Sequence, residues 1–297
     1  MKSFQYLAPI PAFEYAAPRN LSDLFKILDG HGKELQVLAG GTDLMIALKE
    51  RAVAPKVIVD LGRLRKELGG IAVEDGVLRI GALATFSQIE SSPFVARYAN
   101  ALCQAASNVG TLQIRSIATL GGNLATASPA ADSAPPLIAL GATATLRSSS
   151  GQRSLPVQSV FAGPKRNGLR PGEIVSSVEI PANEKARSVW TRSAVRNENV
   201  LSTVSVAVAT TIQGGRFGPS RVALGAVAPT PILAEMATGA MAGGEATTDQ
   251  AERVAALAAE DARPISDIRA SAHYRKRLVF VLTKRLILQI LSESMVP

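Results

Sequence analysis

The segment Thr119-Leu-Gly-Gly-Asn-Leu-Ala-Thr-Ala-Ser-Pro-Ala-Ala-Asp132 sets two adjacent glycines, several hydroxyl or amide side chains and one carboxylate between apolar flanks. Adjacent glycines let a backbone come close to a ligand and turn its N–H groups toward it, which is how a chain cradles phosphate. Thr119, Asn123, Thr126 and Ser128 add neutral donors suited to a dianionic pyrophosphate. Asp132 would repel phosphate, so its place is elsewhere on the ligand, against a ribose hydroxyl or a base amine. The alternative is a Gly-Gly turn followed by a Ser-Pro turn with no ligand.

A second segment repeats the chemistry. Gln36-Val-Leu-Ala-Gly-Gly-Thr-Asp-Leu44 reads as a short apolar strand, a glycine pair, and Thr42 and Asp43 opening a helix from Leu44 to Glu50. Two cradles suggest a ligand with two phosphates. A nicotinamide-binding unit is the first comparison, because the strand Lys56 to Asp60 ends in an acid about 20 residues on. The loop argues against it: Gly40-Gly41-Thr42-Asp43-Leu44-Met45 lacks the second and third glycines of G-x-G-x-x-G, and Asp43 puts a negative charge where pyrophosphate would meet the helix. No G-x-x-x-x-G-K-S/T is present. Asp43 is equally well read as a helix cap.

The pair LAGGTDL and IRSIATLGGNLATASPAAD, about eighty residues apart, resembles the FAD-binding subunit of the molybdenum hydroxylases, which include xanthine dehydrogenase and aerobic carbon monoxide dehydrogenase. Supporting stretches are Leu78 to Thr85, Pro171 to Pro181, Trp190 to Arg196 and Tyr274 to Lys284, so the resemblance covers nearly the whole chain. It implies an α+β chain: a two-lobed FAD-binding domain of the vanillyl-alcohol-oxidase/PCMH type and a C-terminal α/β domain of the CO dehydrogenase flavoprotein type. It also implies that Val37, Leu38, Ala39, Gly40, Gly41, Thr42, Asp43 and Leu44 wrap the pyrophosphate of a non-covalent FAD from one side. Thr119, Leu120, Gly121, Gly122 and Asn123 would wrap it from the other, and Asp132 would bind the adenosine half. Val175 falls where relatives set a branched apolar side chain against the cofactor, Val109 where some are aromatic, and Arg192 where many have lysine near the flavin. Arginine keeps the charge but presents a planar fork, so a contact built for lysine need not survive. Trp190 stands near a position that is often Tyr or Phe, and is otherwise read as a core anchor.

The remaining sequence bounds the partners. A single cysteine, Cys103, rules out an internal disulfide and leaves no ligand set for an iron–sulfur cluster; it reads as a small packing residue. Some relatives carry a cysteine-rich insertion after the GGN motif, whereas this chain runs from Asp132 directly into a helix, Ser133 to Leu140. The resemblance then implies that molybdopterin and iron–sulfur clusters lie on a large subunit and a two-iron two-sulfur small subunit, in a heterotrimer or a dimer of heterotrimers. His31 and His273 have no ligands clustered around them, and no catalytic side-chain constellation is present. No apolar run approaches the ~18 residues of a membrane span, and MKSFQYLAPIPAFEY lacks a leader's apolar region, so the cytoplasm is the expected location.

Length and pattern divide the 297 residues into an N-terminal α/β lobe (1–60), a second lobe (61–182) and a C-terminal domain (183–297). A long helix is expected from Phe94 to Val109, a mobile surface loop from Ala162 to Gly172, and alternating strands at Val189 to Val195, Ser202 to Gln213 and Arg216 to Val227 before three helical stretches. The net charge of +8 includes Arg275-Lys-Arg277 and Lys284-Arg285, expected on a solvated helix face opposite Leu278, Val281, Leu282, Leu286, Ile287 and Ile290. Aromatic residues make up only 4% of the chain and are not interleaved with these clusters, which argues against a nucleic-acid platform and for an acidic protein partner.

Overall fold

The computed structural model describes residues 10–196 and 199–294; the segment at 1–9, where most of the leader reading falls, lies outside it. The chain opens with β1 (Glu14–Ala16), α1 (Leu21–His31), β2 (Leu35–Leu38), α2 (Leu44–Lys49), β3 (Val57–Asp60) and α3 (Arg65–Leu68). Asn20 starts α1 by accepting the Asp23 N–H at 2.9 Å. β3 lies between β1 and β2, parallel to both, so β2 is an edge strand and the residues after it are free to turn outward. Leu24, Leu28, Val57, Val59 and Leu64 form the core beneath, which also takes in Leu83 and Ile174 from later in the chain.

Next come β4 (Ile71–Glu74), β5 (Val77–Gly81), α4 (Phe86–Ser91), α5 (Pro93–Tyr98), α6 (Asn100–Ala106), α7 (Leu112–Ile117), α8 (Leu120–Thr126) and α9 (Ala134–Ala139). They lead to β6 (Thr143–Ser148), β7 (Gly151–Pro156), β8 (Phe161–Gly163), β9 (Arg166–Asn167) and β10 (Ile174–Pro181). An antiparallel sheet, β4-β5-β10-β6-β7, turns Leu78, Ile80, Ala144, Val178 and Ile180 onto the helices. The period of two puts Arg79, Thr145, Ser177 and Glu179 on the other face.

The last elements are β11 (Arg187–Ser193), β12 (Val204–Gln213), β13 (Arg216–Gly225), β14 (Ile232–Leu233), α10 (Glu235–Met241), α11 (Thr248–Asp261) and α12 (Ala272–Ser294). Their antiparallel sheet is buried on both sides. Val204, Val206, Val208, Val222 and Leu224 pack on a core with α10 to α12, while Trp190, Ala207, Ala209 and Ala223 pack against Ala101 and Ala105 of α6 and Ile138 and Ala139 of α9.

Three expectations need correction. The helix expected over Phe94 to Val109 is broken at Ala99 (φ −144°, ψ 47°). Beyond the break, the free N–H of Ala101 donates to Ser188 Oγ at 3.1 Å, so docking on β11 compensates for the lost helical bonds. The expected mobile loop is a hairpin, β8–β9, tied to the end of α8: Lys165 N–H donates to Ala127 O at 3.0 Å and Asn167 Nδ2 to Ala125 O at 2.7 Å. Those two donors satisfy carbonyls left open where α8 stops. The third correction is Arg275, which is 2% exposed and not on the solvated face of α12. It donates to Thr203 O and Ala226 O, both at 2.8 Å, and to Asp267 at 2.7 Å. Burial pushes the Asp267 carboxyl up, but the side chains of Arg269 and Arg275 and the N–H groups of Arg269 and Ala270 outweigh it and hold that carboxyl well below its usual range.

Candidate cofactor site

The first glycine segment leaves the open edge of β2 and folds back on the second. A Cβ on Gly40 would collide with the Ile117 carbonyl, so only glycine permits this backbone contact. Gly41 has φ +74°, the left-handed region that glycine adopts without strain. From Gly40 to Leu44 no backbone N–H has an acceptor among the described residues. This is a run of free donors at the start of α2, suited to an anion. Asp43 caps none of them; its carboxylate accepts the Thr126 hydroxyl at 3.0 Å and so ties the two segments together.

The second segment is the first turn of a helix and not a loop, a correction to its reading as an amide cradle. Thr119 caps α8 by accepting the Gly122 N–H at 3.1 Å, while Leu120 N–H donates to Ala84 O at 3.0 Å and Gly121 N–H to Ala82 O at 2.8 Å. Those amides are already satisfied. Gly121 is pressed on Ala82, where an added Cβ would lie 2.6 Å from the Ala82 Cβ. Gly122 looks the opposite way, with Thr119 Oγ1 at 3.0 Å and Ala39 Cβ at 3.9 Å from its missing Cβ. Its backbone is not left-handed, so glycine serves there for room and not for conformation. Asn123 Oδ1 accepts the Ser133 hydroxyl at 2.6 Å, which leaves its amide N–H₂ as a donor. Thr126 and Ser128 are engaged locally, Thr126 with Asp43 or Gly122 O and Ser128 by accepting the Ala130 N–H.

Asp132 follows on the same chain and is 7% exposed. Its Oδ1 accepts the Ser202 hydroxyl at 2.6 Å and its Oδ2 accepts Arg192 Nη1 at 2.9 Å, from the segment before β12 and from β11 respectively. Burial pushes its carboxyl up to about 6, against the lowering effects of the Ser202 hydrogen bond and the Arg192 charge. Each carboxylate oxygen has a second lone pair, so Asp132 retains acceptor capacity for a ligand. Arg192 borders a cavity of about 300 Å³ with Gln104, Ser107, Asn108, Trp190 and Thr191. Trp190 is 6% exposed among alanines, in agreement with its reading as a core anchor. Val175 is buried with Ala82 and Leu146, and Val109 is half-buried against the second core. Cys103 is only partly buried and donates its thiol to Glu90 O. Ser202 escaped the sequence reading because a serine seventy residues from its partner carries no local signal.

A bound dinucleotide's pyrophosphate needs donors and space, and both are present at this junction: the amides of Gly40 to Leu44 have no protein acceptor among the described residues, and Gly122 leaves room beside Ala39. No cluster of metal-ligating side chains occurs among the described residues. Residues 11–183 match the family described as the FAD binding domain in molybdopterin dehydrogenase, and residues 191–290 match the CO dehydrogenase flavoprotein C-terminal domain. The chain is similar to a xanthine dehydrogenase FAD-binding subunit of Escherichia coli, 32% identical over 92% of this chain and 94% of the relative. It is also similar to the nicotinate dehydrogenase FAD-subunit of Eubacterium barkeri, 32% identical over 95% and 97%. Among solved structures, a chain of quinoline 2-oxidoreductase from Pseudomonas putida superimposes with a TM-score of 0.90 at 32% identity, covering 97% of this chain and 100% of that one. A chain of carbon monoxide dehydrogenase from Hydrogenophaga pseudoflava gives 0.90 at 29% identity, with 95% and 98% covered.

Proposed function

Because this chain belongs to the FAD-binding subunits of the molybdopterin dehydrogenases, we propose that it is the electron-transfer subunit of a molybdenum hydroxylase. In this reading electrons released at a molybdopterin large subunit cross a two-iron two-sulfur small subunit and leave through this one to a terminal acceptor. The assembly is a heterotrimer, alone or paired, in the cytoplasm. The three-part division at 60/61 and 182/183 belongs to the same proposal.

The observation that carries it is the junction of the two glycine segments, where Asp43 meets Thr126 and Gly40 meets Ile117 across about eighty residues of sequence. We assign Val37 to Leu44 and Gly122 with Asn123 to the pyrophosphate, and Thr119, Leu120 and Gly121 to the support beneath them. Asp132, Val175, Val109 and Arg192 are assigned to the rest of the cofactor. FAD, when bound, supplies the redox chemistry; the protein positions it and sets the charge around it. A built-in switch from cradle to catalyst is not required, since none of these residues has to move a proton.

The test is reconstitution. The isolated chain should bind FAD and release it on acid precipitation, because neither glycine segment has a His, Cys or Tyr to bond it. It should not oxidise an aldehyde or heteroaromatic without added subunits. Steady-state turnover by the single chain would replace this reading with a self-sufficient FAD oxidoreductase.

A further inference from the structure

Ser202 is fully buried, yet its hydroxyl is aimed at a charge: it donates to Asp132 Oδ1 at 2.6 Å. Its position is fixed through the residue that follows it. The next residue, Thr203, donates its N–H to Ser193 O at 2.8 Å and accepts buried Arg275 at its carbonyl, also at 2.8 Å. Arg275 in turn is held by Asp267. A rigid line thus runs from α12 through Thr203 and Ser202 to a carboxylate on the α8–α9 connection. Arg192 on β11 is the charged group that faces Asp132, with its Nη1 2.9 Å from Asp132 Oδ2.

We propose that Ser202 is a positioning residue of the FAD site, which orients the Asp132 carboxylate and keeps it ionised so that it can accept a hydrogen bond from the cofactor. The proposal rests on the assignment of Asp132 to the FAD site. A hydroxyl that donates to a carboxylate stabilises its charged form, and a buried carboxylate with one donor fewer takes up a proton at higher pH. A merely structural serine would alter the melting temperature but leave the pH at which cofactor affinity is lost where it was.

The experiment measures FAD affinity of the full chain by flavin fluorescence from pH 5 to pH 8. Four variants are compared with the wild type: Ser202→Thr, Ser202→Val, Ser202→Ala and Asp132→Asn. Wild-type affinity should fall on the acid side with a midpoint near the Asp132 value of about 6. Ser202→Thr keeps the hydroxyl and should keep that midpoint. Ser202→Val, of the same shape, should move it up by about one pH unit. Ser202→Ala should behave like Ser202→Val, and serves where the branched pair proves too large to fold. Asp132→Asn should flatten the profile. A wild-type midpoint shared by Ser202→Thr and Ser202→Val, by Ser202→Ala where that pair does not fold, or a flat wild-type profile, would overturn the proposal while FAD binding stands. No FAD binding at any pH would instead sink the cofactor assignment and the proposal with it.

Discussion

Replacing Gly122 with valine should remove FAD binding while leaving the fold nearly as stable as before. In the first turn of α8 a glycine is a poor helix former, and valine gains a few tenths of a kcal/mol there. Against that gain, the new Cβ would sit 3.0 Å from Thr119 Oγ1 and loosen the cap that Thr119 makes to the Gly122 N–H. Losing such a cap costs about 1 kcal/mol, so the net change in stability stays within about 1 kcal/mol. The cofactor fares differently. Ala39 Cβ lies 3.9 Å from the Cβ position, and valine's two methyls extend about 1.5 Å further into the space the pyrophosphate would use. Losing even two charge-assisted bonds to the free amides of Gly40 to Leu44 costs about 3–6 kcal/mol, more than a hundredfold in affinity. Gly121→Ala is the counterpart: its methyl overlaps Ala82 and should destabilise the fold by about 1–3 kcal/mol. Denaturant unfolding of the apo chain and titration with FAD, run on both variants, separate the two effects. Wild-type affinity in Gly122→Val, or a loss of stability as large as that of Gly121→Ala, would refute the reasoning.

Asp132→Ala should weaken FAD binding by ~1.5–3 kcal/mol, read as a raised dissociation constant, and an unchanged constant would remove Asp132 from the site. Arg275→Met should lower the unfolding free energy by about 2–4 kcal/mol, because the Thr203 and Ala226 carbonyls would lose their buried donor while Asp267 keeps Arg269; calorimetry of the apo chain checks it. The two perturbed acids should bend the stability–pH curve in opposite senses. Asp132, raised to about 6 in the folded chain, contributes stability below the unfolded value of about 4 that is lost as pH rises through about 6. Between pH 4 and pH 7 the difference between wild type and Asp132→Asn should therefore shift by ~2 kcal/mol in the variant's favour. Asp267, lowered, contributes stability above its unfolded value that is lost as pH falls, and Asp267→Asn should remove that acid limb from the unfolding curve.

Most strands were legible because apolar alternation and turn residues mark them locally: Leu35–Leu38, Val57–Asp60, Val204–Gln213 and Arg216–Gly225 lie within a residue or two of where their patterns place them. The glycine pairs were legible as close approaches, but not which partner each approaches. Gly121 and Gly122 are adjacent in sequence and face opposite ways, one onto Ala82 and the other toward Ala39, a distinction set by tertiary contacts alone. The same limit explains Arg275. On an isolated helix its neighbours Lys276 and Arg277 make it look solvated, and only the carbonyls of Thr203 and Ala226, some fifty to seventy residues away, make its burial favourable. The turn at Ala99 depends likewise on Ser188, a residue that carries no signal until β11 is in place.

The two matched stretches meet between 183 and 191, which invites cutting the chain there. The alanine seam around Trp190 makes such a cut costly. Ala101, Ala105, Ile138 and Ala139 come from before the boundary and Trp190, Ala207, Ala209 and Ala223 from after it, so each half would present the other's missing wall to water. Side chains this small also bring backbones within reach of each other, which is why Ser188 can cap α6 across the boundary. A fragment ending near residue 185 would thus expose a flat apolar strip and an uncapped helix, and should aggregate unless the remaining residues are supplied with it. Unfolding should spread across the junction in one transition, and a substitution that opens the seam, such as Ala207→Asp, should loosen the cofactor as well as the C-terminal helices.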